Sequence, residues 1–600
     1  MKPIRLDVPA PQGEGGRFQG FNNKRIKAWL DGLPRGLAEP LAQELRQALQ
    51  ELNRDPLPKA ARLEAMELLR PAVYDACIML AGEYRNASQP LKTQDREQAE
   101  LVIGLLNELA NGFKLAVNEL LDASLHGGQP GLTQQLQFAI QRAVLALGRM
   151  LLESYRVYAP EPPKLWQDLH TLYRNAEIYN LQGLPMEGTR DSDETALSIK
   201  QAYLRIAVLA LSNPYHLMQG EAEELYRRIG RWVHFVRIQE AQPSQSLAGH
   251  FVIDLGSDFP ARYIPHSVAS LPAAVPRVLE LDRLVAAIDE QIQRSRELLA
   301  QSRTSATLSE RMQRDMYLRF HEALGGRQER TDERKRTLAR LSVVESLSGC
   351  HFFLNGRRPF TPEQDERQWR ERLGDVEKAP EKPAMRLLGD EAAADQGRTE
   401  GSTDRSSRFR AIDAEADDIW RQASMVKHEQ EQTRHRVRHK AVTWNRKNQS
   451  SGGMALFCGD DCPMQIRVGE LLAYSEKDSA RPEAWMIGTA RWLRSRGAGG
   501  IELGVKHLAT SGYAVGTQTV RGAGKGAEYL RGLLIPRVNP LSRPATLITP
   551  AAVYDVGAVL KLNMQQLLLY VQLTELIETT RQFAHFRFKV VEPPTSEKRG

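Results

Sequence analysis

The residues best suited to do chemistry in this 600-residue chain are Asn448, Ser450 and Gly453, spaced as Asn-x-Ser-x-x-Gly. The amide and the hydroxyl can hydrogen-bond the edge of a guanine or a phosphate, and a glycine has no Cβ to obstruct a ligand or the turn. This is binding chemistry. No Ser-His-Asp, paired-carboxylate or nucleotide-hydrolysing constellation accompanies it, so an enzyme is not expected. Gly522-Ala-Gly-Lys-Gly526 invites a phosphate-loop reading, but no helix opening with Lys-Ser/Thr follows, and a solvated hairpin is expected there. Cys458-Gly-Asp-Asp-Cys462 with His435 and His439 has the donor types of a Cys2His2 zinc site. The two histidines lie in an arginine-rich run that would repel a dication, and no metal is expected.

The elements that must hold Asn448 and Ser450 are short strands. Ala441–Trp444 is β-branched and aromatic, Met454–Phe457 resumes the apolar run, and the Ser/Gly cluster between them suits a tight turn. Three further strands are read at 465–474, 485–493 and 501–508, each bounded by Pro, Gly, Ser or charged residues. Together they predict a small antiparallel barrel or sandwich. With Val-Gly-Glu-Leu at 468–471, Ile-Gly-x-x-Arg-Trp at 487–492 and Glu-Leu-Gly-Val at 502–505 following the turn in order, residues 444–508 resemble the PilZ domain. That is a six-stranded bacterial receptor module for cyclic di-GMP.

The resemblance implies that Asn448, Ser450 and Gly453 bind cyclic di-GMP together with the forks of an Arg-x-x-x-Arg segment ahead of the first strand. Guanidinium forks suit phosphates and guanine O6/N7. Two segments fit: Arg330/Arg334 and Arg434/Arg438. Only nine residues separate Arg438 from Asn448, room for one strand where the family topology needs two. The run 340–354 reads as an otherwise orphaned strand or strand pair directly after Arg334. A split barrel follows as the expectation, formed by 326–354 and 433–512 around a charged insertion, with Arg330 and Arg334 as the ligand pair and Arg434 and Arg438 as the competing pair.

Hydrophobic content of 42% and charged content of 26% fit a globular protein, and 600 residues allow three or four cores. A net charge of +7 is mild for this length and does not demand nucleic acid. Four cysteines do not make a disulfide framework. No apolar run approaches the roughly 20 residues of a membrane span, and Met1-Lys-Pro-Ile-Arg lacks an apolar region behind it, so a cytoplasmic protein is expected.

The fold class expected is multidomain α+β. Residues 1–23 form a Pro/Gly-rich tail. Residues 24–245 form an all-α domain of helix hairpins, with apolar residues at three-four spacing in 63–80, 99–121, 134–155 and 195–211. Trp166-x-x-Leu169-x-x-x-Tyr173 resembles a tetratricopeptide opening, but no 34-residue period is sustained, so one core face of an ordinary helix is the simpler reading. Residues 246–325 form a connector with a strand at 250–255 and helices at 276–299 and 309–324. Residues 355–432 are charged and apolar-poor and should be disordered. Residues 513–600 form a further small β domain, with strands at 529–536, 545–550, 559–562, 567–573 and 583–591. The function implied is a cyclic di-GMP receptor that relays binding to a protein partner through the helical domain. A ligand-free PilZ-like scaffold is the first alternative, and a nucleic-acid-binding barrel stacking bases on Trp485 and Trp492 is the second.

Overall fold

The computed structural model describes residues 3–10, 23–57, 61–125, 131–186, 196–242, 245–268, 273–301, 308–325, 335–372, 439–476, 484–522, 528–536, 544–564 and 567–593. Helices α1 (Asn23–Asp31), α2 (Ala38–Arg54), α3 (Ala61–Tyr84), α4 (Thr93–Leu125), α5 (Leu132–Arg156), α6 (Leu165–Ile178), α7 (Ile199–Leu211) and α8 (Glu221–Trp232) pack around one core. Three-four spacing builds that core, Leu105, Leu109, Phe113 and Val117 forming a buried stripe of α4. α7 starts at Ile199 rather than near 195 because a capping box sets its first turn: Ser198 Oγ accepts from Gln201 N at 3.2 Å and Gln201 Oε1 from Ser198 N at 2.9 Å. Trp166, Leu169 and Tyr173 of α6 are all buried in the same core. The N-terminal tail is tied down over residues 3–10: Leu6 is buried, and Ile4 N donates to Asn175 Oδ1 at 2.9 Å.

The connector is partly a sheet. β1 (Arg237–Glu240), β2 (Phe251–Asp254), β3 (Arg262–Tyr263) and β4 (Pro276–Glu280) pair antiparallel in the order β1-β4-β2-β3. β1 thus falls inside the stretch expected to be all helical, and 276–280 is strand where a helix was expected. The helical stripe Leu281, Leu284, Ile288, Ile292 begins only after β4, and α9 (Asp282–Gln301) follows it, then α10 (Leu308–Leu324).

β5 (Ala339–Glu345), β6 (Val442–Gln449), β7 (Gly453–Cys458), β8 (Leu471–Glu476), β9 (Met486–Ser495) and β10 (Ile501–Ala509) close a barrel in the order β10-β7-β6-β5-β8-β9. β5 lies between β6 and β8, with Leu341 opposite Trp444 and Val343 opposite Tyr474. Two expectations around it are corrected. The strand does not continue to 354: Ser346 caps helix α11 (Leu347–Leu354), its Oγ accepting from Gly349 N at 3.1 Å, and a good N-cap decides an ambiguous apolar run. The charged stretch is not structureless from 355, because α12 (Pro362–Arg372) docks through Glu366 to Lys561 at 3.1 Å and through Pro362 O to Asn563 Nδ2 at 2.6 Å. Residues 373–432 of that expectation lie outside the described residues. The strand expected at 465–474 starts only at Leu471, since Ile466 instead exchanges backbone hydrogen bonds with Gln89 of the helical domain at 2.7 and 2.8 Å.

β11 (Tyr513–Arg521), β12 (Leu530–Ile535), β13 (Thr546–Pro550), β14 (Val559–Asn563), β15 (Leu568–Thr579) and β16 (Phe583–Val590) close a second barrel in the order β11-β12-β13-β16-β15-β14. Its pairing scheme repeats that of the first: strand one pairs with two and four, three with two and six, five with four and six. Val344, Leu471 and Ile487 of the first barrel, Cys350 and Phe353 of α11, and Leu533, Ile548 and Phe583 of the second share one buried cluster. α10 touches all three bodies. Tyr317 and Phe320 enter the helical core, Met312 packs on the first barrel's core, and Asp315 Oδ2 accepts from Thr579 N at 3.2 Å. Arg319 pairs with Glu221 and Arg311 with Asp555.

Candidate functional site

Along β6, Trp444 and Arg446 are buried while Thr443, Asn445 and Lys447 are exposed, the period-two pattern of a half-buried strand. The register then slips. Arg446 faces Leu456 and Asn448 faces Ala455, so Lys447 is an extra residue and the strand is bulged. A bulge re-aims the residues beyond it, and here it leads Asn448 and Gln449 into the turn. Ser450 N donates to Gly453 O at 2.8 Å and Ser450 Oγ donates to the same oxygen at 3.2 Å. Gly452 O accepts from His507 N at 3.0 Å, which ties the turn to β10. A Cβ on Gly453 would stand 2.3 Å from Val505 O, so the missing side chain makes room for the β10 backbone.

The surroundings are cationic. Arg446 Nη1 donates to Glu476 Oε1 at 2.5 Å and its Nε to Thr337 O at 3.4 Å, which braces the chain entering β5. Lys447 and Arg496 converge on Glu502, Arg496 at 3.0 Å. Burial alone would raise the Glu502 carboxyl, but the hydrogen bonds from Lys447 and Arg496 outweigh it and hold the group below its ordinary value. His507 Nδ1 lies 2.5 Å from Tyr474 Oη, and its buried Nε2 has no hydrogen-bond partner among the described residues. Burial first, and then the Arg446 charge, hold the ring's pKa down. Lys506, exposed, is the register partner of Gly453.

Of the residues singled out from the sequence, Asn448, Ser450 and Gly453 come together in one turn. Arg330, Arg334, Arg434 and Arg438 lie outside the described residues, but their nearest described neighbours are far apart. Lys335 exchanges backbone hydrogen bonds with Gln449 at 3.0 Å each way, immediately before Ser450. His439 Nε2 lies 3.3 Å from Ser348 Oγ of α11, and its ring centroid is 5.4 Å from that of Phe352, beyond the opposite end of β6. An eight-residue strand at about 3.3 Å per residue separates those ends by about 23 Å.

His439 is therefore held by α11, and His435 lies outside the described residues. Among the described residues no group of three His, Cys, Asp or Glu side chains could hold a metal ion. Trp485 is no stacking platform: it is 9% exposed and packs on Phe353 at 4.8 Å between the barrels. Trp492 lies over Gly504. Sequence reasoning missed Arg446 and His507. The burial alternation of β6 could have pointed to Arg446, whereas His507 is brought to the turn by long-range pairing alone.

A closed six-stranded barrel with an Asn-x-Ser-x-x-Gly turn between its second and third strands is a PilZ-type barrel. Family models match the chain in succession: "Cyclic-di-GMP receptor FimW, N-terminal domain" over 24–244, its "middle PilZ domain" over 250–513, and "FimW C-terminal beta-barrel domain" over 515–591. The chain belongs to this family, one of receptors and not of enzymes. It is similar to the "Cyclic-di-GMP receptor FimW" of Pseudomonas aeruginosa, with 28% identity over 594 residues that cover 98% of this chain and 94% of the relative. No solved structure matches it. No described helix is long and apolar enough to cross a membrane.

Proposed function

We propose that this chain is a cytoplasmic cyclic di-GMP receptor whose ligand is held between the Asn448/Ser450 turn and the forks of Arg330 and Arg334. The observation that carries the reading is the Lys335–Gln449 backbone pair, which anchors the residue after Arg334 beside the turn. Ser450 Oγ is free to rotate from Gly453 O to a guanine or phosphate edge, because the Ser450 amide alone keeps the turn closed. The two phosphodiesters then meet guanidinium forks in a cationic setting. Arg434 and Arg438 precede His439, which α11 holds beyond the other end of β6.

The relay runs through α10. Residues 326–334 join Gly325, just past α10, to Lys335, so ligand held by Arg330 and Arg334 acts on a helix that touches the helical domain and both barrels. The output is a population shift in how these bodies dock, read by a protein partner on the helical domain. Calorimetry with cyclic di-GMP on the full chain and on Asn448→Ala tests the reading. Binding that is weakened in the variant supports it; absence of binding to the unmutated chain, or equal binding to both, overturns it.

A further inference from the structure

Cys458 and Cys462 are absorbed by neither the ligand site nor a metal. Cys458 closes β7, and Cys462 N donates to Gly459 O at 3.2 Å, folding the chain between them into a tight turn. The two thiols act on each other across this turn, each being among the groups that shift the other. Both side chains join the barrel's core cluster at its margin, 7% and 6% exposed. The turn between them is part of the seam with the helical domain: Asp460 pairs with Arg96 of α4 at 3.3 Å, and Ile466 just beyond bonds to Gln89.

We propose that Cys458 and Cys462 form a reversible dithiol–disulfide site. The oxidant is a hydroperoxide. One thiolate attacks one peroxide oxygen and expels hydroxide, leaving a sulfenic acid. The other thiol then attacks that sulfur, the S–S bond forms, and the sulfenic hydroxyl departs as water with the second thiol's proton. Two electrons pass from the sulfur pair to the peroxide, and a small thiol reverses the step through a mixed disulfide. Two thiols buried on the same core margin across one tight turn need only close to the roughly 2.05 Å of a disulfide, and the bond locks the loop that presents Asp460 to Arg96.

The test uses the full chain, reduced and then exposed to hydrogen peroxide in native buffer, with free thiols alkylated and the digest mapped by mass. Cys77 is an internal control, being 8% exposed and sited on α3 in the helical core, and Cys350 is 0% exposed. The expected product is a Cys458–Cys462 link lighter by two hydrogens, formed while Cys77 and Cys350 stay alkylatable. Cys458→Ser and Cys462→Ser each abolish the link, and at least one of the two variants stops at a sulfenic acid that dimedone traps. Equal oxidation of all four cysteines, no link while peroxide consumes other residues, or no sulfenic acid in either variant would overturn the proposal. The unmutated chain alone decides the first two outcomes, so misfolding of a variant does not obscure them.

Discussion

Two alanine substitutions separate the structural from the ligand-facing half of the Asn-x-Ser-x-x-Gly turn. In Gly453→Ala the new Cβ would stand 2.3 Å from Val505 O, where non-bonded C···O contacts settle near about 3.3–3.6 Å. The overlap is about 1 Å and the obstacle is backbone: Val505 is the register partner of Met454, so relief means shifting β10 against its own ladder. Overpacking of this kind costs about 1–3 kcal/mol. Ser450→Ala removes a 3.2 Å hydroxyl bond but keeps the 2.8 Å amide bond that closes the turn, a stability loss of about 0.5–1 kcal/mol. If that hydroxyl donates to a ligand phosphate, its loss removes about 1.5–3 kcal/mol of binding, roughly 10- to 150-fold in Kd. Urea midpoints followed by tryptophan fluorescence, paired with calorimetry, read both quantities. The expected pattern is a stable Ser450→Ala protein that binds weakly and a destabilised Gly453→Ala protein whose folded fraction binds normally. A fully stable Gly453→Ala protein that fails to bind, beside a Ser450→Ala protein that binds as before, would refute the assignment.

Two further outcomes arise from buried charges. Burial, reinforced by the nearby Glu345 carboxylate, raises Glu470 from 4.5 to about 8. The fold accommodates its neutral form, so its contribution is fully present below pH 4.5 and is lost as pH rises toward 8, at most about 5 kcal/mol at about 1.4 kcal/mol per unit. Glu470→Gln should therefore gain on the unmutated chain between pH 5 and pH 8 in urea midpoints, and parallel pH curves would contradict this. Lys561 is 6% exposed with Glu366 Oε1 at 3.1 Å, so Glu366→Ala should strand a buried ammonium and destabilise the second barrel by about 3–5 kcal/mol. Denaturation midpoints unchanged by that substitution would show α12 to be dispensable.

The features legible in the sequence were local. The Ser/Gly turn, the apolar runs on either side of it and the alternation of 485–493 and 501–508 specify β6, β7, β9 and β10 within a few residues, because turn chemistry and period-two burial act over short spans. The nine residues between Arg438 and Asn448 leave room for one strand, and β6 is that strand. Element boundaries failed where one capping residue or one tertiary partner decided them. Ser346 turned an apolar run into α11, Ser198 delayed α7, and Gln89 took Ile466 out of β8. β4 was obscured by adjoining the helical stripe of α9, and β11, rich in Thr, Gly and Gln, carries little apolar signal. At the site, Asn448 and Ser450 were legible as a turn, whereas Arg446 is one cation among many until its pairing with Glu476 and Thr337 is seen. The bulge at Lys447 that aims the turn leaves no mark in composition.

The central claim is tested most directly by titrating cyclic di-GMP into the full chain and two double variants, Arg330→Ala/Arg334→Ala and Arg434→Ala/Arg438→Ala, in one calorimetric series. Each lost guanidinium–phosphate contact is worth about 1.5–3 kcal/mol, so removing the first pair should weaken binding by at least about 100-fold, while the second variant binds as the unmutated chain does. Binding abolished by the second pair and untouched by the first would contradict the account and move the ligand's arginine clamp to the α11 end of the barrel.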